Sequence, residues 1–189
     1  MPYLQNAASF IVETLCNLAL YIVLIRFWMQ WARADFRNQF GQFIIKATNP
    51  VVIPIRRIIP AIGKIDSATV IFAIALAILK LLVLQLIFGG GFGNISILKL
   101  LILAIGVVIE SSIFVFMGAI IIGIIASWVN PGSYHPILSI AHSISEPIMA
   151  PARRILPPMG GIDFSPMLVF LFLGVLRILL VGPIYGLNI

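Results

Sequence analysis

Charged side chains make up only 10% of this 189-residue chain, and that shortage excludes a water-soluble domain. Hydrophobic residues reach 61% and the mean hydropathy is +1.16, so the polar surface needed to face water on every side is missing. The sequence reads as an integral membrane protein. Cysteine is nearly absent: Cys16 stands alone, so neither an intrachain disulfide nor a thiolate metal site can form. Inside an apolar run it is a small buried hydrophobe. Histidine is scarce as well, and His135 and His142 have no carboxylate or thiol spacing typical of a metal site. No nucleophile elbow, HExxH helix, phosphate loop or dinucleotide fingerprint occurs, and Gly89-Gly90-Gly91 lacks the lysine and following helix of a phosphate loop. These absences point away from an enzyme and from any cofactor or metal. No Lys or Arg precedes the first apolar run, which argues that the run is kept as an anchor instead of being cleaved as a signal peptide.

Acidic residues are outnumbered by basic ones, 6 against 12, for a net charge of +6. Such a balance would suit nucleic acid, but its placement does not. Six cations, Arg33, Arg37, Lys46, Arg56, Arg57 and Lys64, lie in one loop between apolar runs, where a bilayer-spanning chain carries its orientation signal. The partner this loop meets first is the lipid bilayer and its anionic headgroups, not nucleic acid.

What the chain does contain, it contains twice. Pro50, Pro54, Arg56, Arg57, Ile58, Pro60, Gly63, Ile65 and Asp66 return as Pro147, Pro151, Arg153, Arg154, Ile155, Pro157, Gly160, Ile162 and Asp163, each 97 positions later with no gap. The register also carries Glu13 to Glu110, Trp31 to Trp128, and Lys80 to another cation, Arg177. The molecule is therefore read as two copies of one unit, residues 8–88 and 105–185, with 89–104 supplying a Gly-rich periplasmic hairpin and the start of the third span.

Apolar runs of about 20 residues, the length that crosses ~30 Å of hydrocarbon as a helix, place four spans near Ala8–Trp28, Ala68–Phe88, Leu101–Ile125 and Met167–Pro183. Between the first two, Phe40, Phe43, Ile44 and Ala47 mark the apolar stripe of a surface helix of about ten residues, which Asn49-Pro50 stops. Ile137, Ile140, Ala141 and Ile144 repeat it. The P-x-R-R blocks then read as proline-bounded turns, with Asp66 and Ser165-Pro166 capping the spans that follow. The fold class is an all-α membrane protein: four transmembrane helices as two tandem parallel two-helix repeats, each with a short interfacial helix and a P-x-R-R loop. Loop cations put both long loops in the cytoplasm and both termini in the periplasm of a bacterial inner membrane.

Three groups of residues stand out. Glu13 with Lys80, and Glu110 with Arg177, place opposite charges at similar depth within spans; each pair is either a clasp between helices or part of a polar site for an ion or proton. Arg56, Arg57, Arg153 and Arg154, with Asp66 and Asp163 nearby, form either an internal Arg–Asp brace or a docking site for anionic lipid or a partner. Trp28, Trp31 and Trp128 are interfacial anchors.

The motif residues Trp31, Asn49-Pro50, Pro54-Ile55-Arg56-Arg57, Pro60, Gly63 and Ile65-Asp66-Ser67 resemble the YggT family, also called YlmG, of bacterial and chloroplast membrane proteins. The same motif returns at Trp128, Glu146-Pro147, Pro151, Arg153-Arg154, Pro157, Gly160-Gly161 and Ile162-Asp163-Phe164-Ser165-Pro166. The first copy departs from the family's IDFSP ending, reading Ile65-Asp66-Ser67-Ala68-Thr69. The resemblance implies an inner-membrane protein linked to osmotic tolerance, potassium homeostasis and cell division in bacteria, and to cytochrome b6 assembly and nucleoid organisation in chloroplasts. It carries over no catalytic residues. The resulting expectation is a non-enzymatic protein supporting ion or osmotic homeostasis, directly or through another transporter. The alternative is a scaffold or assembly factor that docks a membrane-protein partner, or forms a homo-oligomer, through its arginine loops.

Overall fold

A computed structural model describes residues 2–63, 65–89, 96–129, 135–157, 159 and 163–186. The hairpin residues 90–95, the turn Asn130-Pro131-Gly132, and Lys64, Gly160, Gly161 and Ile162 lie outside the described residues. Six helices follow one another: α1 (Pro2–Trp31), α2 (Gln39–Ile58), α3 (Ser67–Ile87), α4 (Ile97–Val129), α5 (Pro136–Ile155) and α6 (Ser165–Gly186). Four of them, α1, α3, α4 and α6, are long and apolar enough to cross a membrane. That is the expected consequence of lipid as solvent, since a helix satisfies its backbone hydrogen bonds internally.

Within the first half α1 packs on α3, and within the second α4 packs on α6; α1 and α3 both meet α4, which is the most buried of the four. Ala73 and Ala77 of α3 and Ala104 and Ala119 of α4 are buried at these seams, where small side chains let helices approach closely. Leu20, Val23 and Leu24 of α1 and Val169 and Leu173 of α6 complete the core. The amphipathic α2 rests on α1 and α3, and α5 rests on α4 and α6.

The surface helices differ from the sequence expectation in length. Each runs 20 residues and passes straight through its prolines, Pro50 and Pro54 in α2 and Pro147 and Pro151 in α5. Asn49-Pro50 is thus not a stop, and the P-x-R-R segment is a helix end instead of a turn. Interior proline costs about 3 kcal/mol when the freed carbonyl is stranded. Here all four prolines, and Lys46 whose carbonyl Pro50 leaves unbonded, lie on the exposed side, where those groups can be hydrated. The buried stripe of α2 is also rotated from the expected one: Gly41, Ile44, Thr48 and Val52 face the bundle, whereas Phe43 is 55% exposed. A helix at a bilayer edge has two apolar neighbours, protein and lipid, so hydrophobicity alone does not say which face meets which. In α5 the expected Ile140, Ala141 and Ile144 are buried as the stripe required.

The span ends move outward as well. α1 begins at Pro2 and ends at Trp31, α4 covers Ile97–Val129, and α6 continues past Pro183 to Gly186. Asn38 starts α2 by accepting the Gly41 amide at 2.8 Å, and the His135 ring starts α5 by accepting the Ile137 amide at 3.3 Å.

Gly41 sits where an added Cβ would lie 2.9 Å from the Phe36 Cα and 3.0 Å from its carbonyl oxygen, both backbone atoms. Gly41→Ala should therefore destabilise the α1–α2 corner by about 1–3 kcal/mol, seen as a lower midpoint of thermal unfolding in detergent. Gly118→Ala, where nothing lies within 4 Å, should leave the midpoint unchanged or raise it slightly.

Candidate functional site

The arginine pairs close the last turns of α2 and α5, and the chain then folds back so that an aspartate arrives beside the first arginine of each pair. In the first corner, Ile62 and Ile65 exchange backbone hydrogen bonds of 3.0 Å around Gly63, whose φ of 61° suits a residue without a Cβ. This reversal buries Asp66 completely, at 0% exposure. Arg56 and Thr69 both donate to its Oδ2. Its Oδ1 is buried and, among the described residues, has no hydrogen-bond partner. Asp66 occupies the cap position of α3, but its carboxylate makes no cap hydrogen bond; the arginine outcompetes the helix end.

Behind this latch lies Arg26 of α1, only 6% exposed, which donates to Thr48 Oγ1 at 2.5 Å and to Asn49 Oδ1 at 2.9 Å. Burial pushes the Asp66 carboxyl up, yet the hydrogen bonds from Arg56 and Thr69 and the charges of Arg56 and Arg26 outweigh it and hold it below the ordinary carboxylate range.

The second corner is built from matching positions with different chemistry. Arg153 Nε donates to Asp163 Oδ2 at 3.2 Å, and its Nη1 donates to both oxygens of Glu146 at 2.9 and 2.8 Å. His142 Nδ1 stands 3.6 Å from Glu146. Asp163 Oδ1 accepts the Ser165 amide at 2.9 Å, so the aspartate caps α6 and Ser165 is the helix's first residue, not its cap. Burial raises the Asp163 carboxyl, but the hydrogen bond from the Ser165 amide and the Arg153 guanidinium bring it below the usual range. Burial likewise disfavours the Arg153 charge, and Glu146 and Asp163 more than restore it.

Laid on the 97-residue register, the corners have exchanged charges. Asn49 of the first stands where the second has Glu146, and Arg26 stands where the second has Gly123. The first cluster therefore sets Arg26 and Arg56 against Asp66 and keeps one excess positive charge. The second sets Arg153 against Glu146 and Asp163 and keeps one excess negative charge. Arg57 and Arg154 stay outside both latches: they are exposed, and among the described residues neither finds a hydrogen-bond or ion-pair partner.

The charges within the spans split in the same uneven way. Arg177 Nε donates to Glu110 Oε1 at 2.8 Å, Tyr185 donates to Glu110 Oε2 at 2.8 Å, and the guanidinium lies 5.3 Å from the Phe114 ring centroid. The expected Glu13–Lys80 pair does not form. Lys80 gives its ammonium to Asn17 Oδ1 at 2.9 Å instead, and Glu13 remains exposed. The reason is local: the second copy's Tyr185 falls on Phe88, which has no hydroxyl to hold a carboxylate, while Asn17 offers Lys80 a nearer acceptor than Glu13. Trp31 and Trp128 are exposed, but Trp28 is no surface anchor; it packs edge-on against Phe116 at 4.5 Å, with its indole N–H buried.

A family model described as CCB3/YggT matches residues 5–87 and, a second time, residues 101–184. The chain belongs to the CCB3/YggT family. It is 43% identical over 184 residues to an uncharacterised protein of Vibrio alginolyticus named for the proC 3′ region, covering 96% of this chain and 98% of that one. It is 37% identical over 174 residues to YggT of Escherichia coli K12, covering 92% and 88%, and 33% identical over 170 residues to an uncharacterised Haemophilus influenzae protein, covering 90% and 88%. No solved structure matches the chain.

In this CCB3/YggT member, sequence reasoning found the arginines and aspartates but missed Arg26, Thr48, Asn49 and Thr69 behind the first latch, and Glu146 and Tyr185 as partners in the second half. Comparing the repeats column by column for charge, Asn49 with Glu146 and Arg26 with Gly123, would have pointed to them.

Asp66→Asn should cost about 1–3 kcal/mol, the penalty for stripping a partner from buried hydrogen-bonding groups, because Arg56 is half-exposed and recovers water. Asp163→Asn, at the more open corner, should cost less; thermal unfolding of both variants in detergent checks the order. Both carboxyls sit below their unfolded pKa of about 3.9, so their contribution is fully present above that value and is lost as pH falls through the lower folded values. Asp66→Asn should correspondingly flatten the acid limb of a stability-against-pH curve.

Proposed function

We propose that the protein is a non-enzymatic membrane scaffold, oriented with both long connections in the cytoplasm, whose Arg57 and Arg154 dock an acidic segment of a membrane-protein partner. The observation that carries this reading is the division of labour within each pair: Arg56 and Arg153 are committed to latches, which leaves their exposed neighbours unbonded on ordered helix ends. A guanidinium so placed has lost part of its freedom before binding, which favours bidentate capture of carboxylate or phosphate.

A role in ion or osmotic homeostasis then works through the partner. A path through this chain has less support, because Glu110 is spent on Arg177 and Tyr185. Two crevices between helices, about 390 and 380 Å³, are lined almost wholly by apolar side chains.

In-cell crosslinking should recover a partner with the parent chain and lose it with Arg57→Ala plus Arg154→Ala; an undiminished yield would end the scaffold reading. In a Cys16→Ser background, cysteines placed at Arg57 and Arg154 should be labelled by a membrane-impermeant reagent from the same side.

A further inference from the structure

Both corners carry a fringe of exposed apolar side chains beside the free arginine. In the first corner Ile58 is 81% and Ile62 73% exposed, with Ile59 and Ile65 next to them; in the second, Ile155 and Met159 play this part. Isoleucines standing out from the end of a surface helix and from the turn that leads into a span belong in the acyl boundary, and an arginine among them reaches its guanidinium to the headgroup layer. Both corners therefore touch lipid, and the charge behind each decides what the arginine sees.

Behind Arg57 the latch is one positive charge in excess, with Arg26 and Arg56 both acting on Asp66. Among the described residues Arg26 has only hydroxyl and amide oxygens as direct partners, so its charge is left there without a counter-ion of its own. Behind Arg154 the excess is negative, from Glu146 and Asp163 around Arg153, so that Arg154 merely restores neutrality. We propose that the first corner alone holds an anionic phospholipid headgroup, through Arg57 and the uncompensated charge behind it, with the acyl chains against Ile58 and Ile62. The inference rests on the reading of the arginine corners as docking sites and revises it at the first corner, where a lipid headgroup takes the place given above to the partner's acidic segment.

The test uses the full chain in neutral detergent, titrated with phosphatidylglycerol or, separately, phosphatidylcholine, and read by the unfolding midpoint and by lipid retained in native mass spectrometry. Phosphatidylglycerol should raise the midpoint and be retained once; phosphatidylcholine should do neither. Arg57→Gln, at an exposed and unbonded side chain, should weaken retention about fivefold, the worth of one basic residue at an anionic membrane surface, and Arg154→Gln should leave it within about twofold. Asn49→Glu imports the residue that the second corner already carries and should weaken retention as much as Arg57→Gln. Equal response to the two lipids, equal loss from Arg57→Gln and Arg154→Gln, or full retention in Asn49→Glu would each overturn the proposal. Crosslinking to a protein partner through Arg154 would survive that failure, and lipid selectivity would survive loss of the partner, so the two readings fall separately.

Discussion

The first corner depends on a carboxylate that has no access to solvent. Asp66 is wholly buried, and an isolated buried charge would cost far more than a small bundle can spare. Arg56 and Thr69 make it tolerable, and the arrangement in turn fixes where α2 must end and α3 must begin. Ending α2 at Ile58 sets the Gly63 reversal, and the reversal sets the angle at which the second span enters the bilayer. The latch is weak as a source of net stability, since buried ion pairs roughly break even against apolar packing. Its value lies in specifying one geometry for a corner that lipid and water could otherwise accommodate in several.

How much of this was legible in the sequence follows from the same distinction. The number of spans and their order were readable, because four long apolar runs in a chain with little charge leave no competing arrangement. The surface helices were readable as amphipathic but not in their length or facing. Pro50 and Pro54 normally end a helix, and only the fact that they share an exposed face with Lys46 makes them harmless here. Which of two apolar stripes meets protein was likewise invisible, since Phe43 and Ile44 are equally hydrophobic neighbours with opposite fates. Partner choice was the least accessible: Glu13 and Lys80 had the right depth, but an amide one turn away, Asn17, took the ammonium.

The two halves also divide strength differently between membrane surface and membrane interior. The first has the fully buried latch at its corner and, between its spans, hydrogen bonds from Lys80 to Asn17 and from Gln5 to the Ile87 carbonyl. The second has a latch whose members are about a third exposed, and a three-residue clasp of Glu110, Arg177 and Tyr185 between its spans. Packing explains the interior half of this exchange. α1 and α3 make the most extensive contact among the described helices, and α3 buries the small side chains Ala73 and Ala77. Dispersion across such a seam suffices to hold two helices in lipid, where no hydrophobic force brings them together. α4 and α6 meet less extensively, because α4 also serves α1, α3 and α5. A helix shared among four neighbours cannot match its surface to each of them, and a charged clasp tolerates looser packing than dispersion does. The ion pair thus sits where the contact is less extensive, and Glu13, exposed on the more extensively packed helix, has no partner among the described residues.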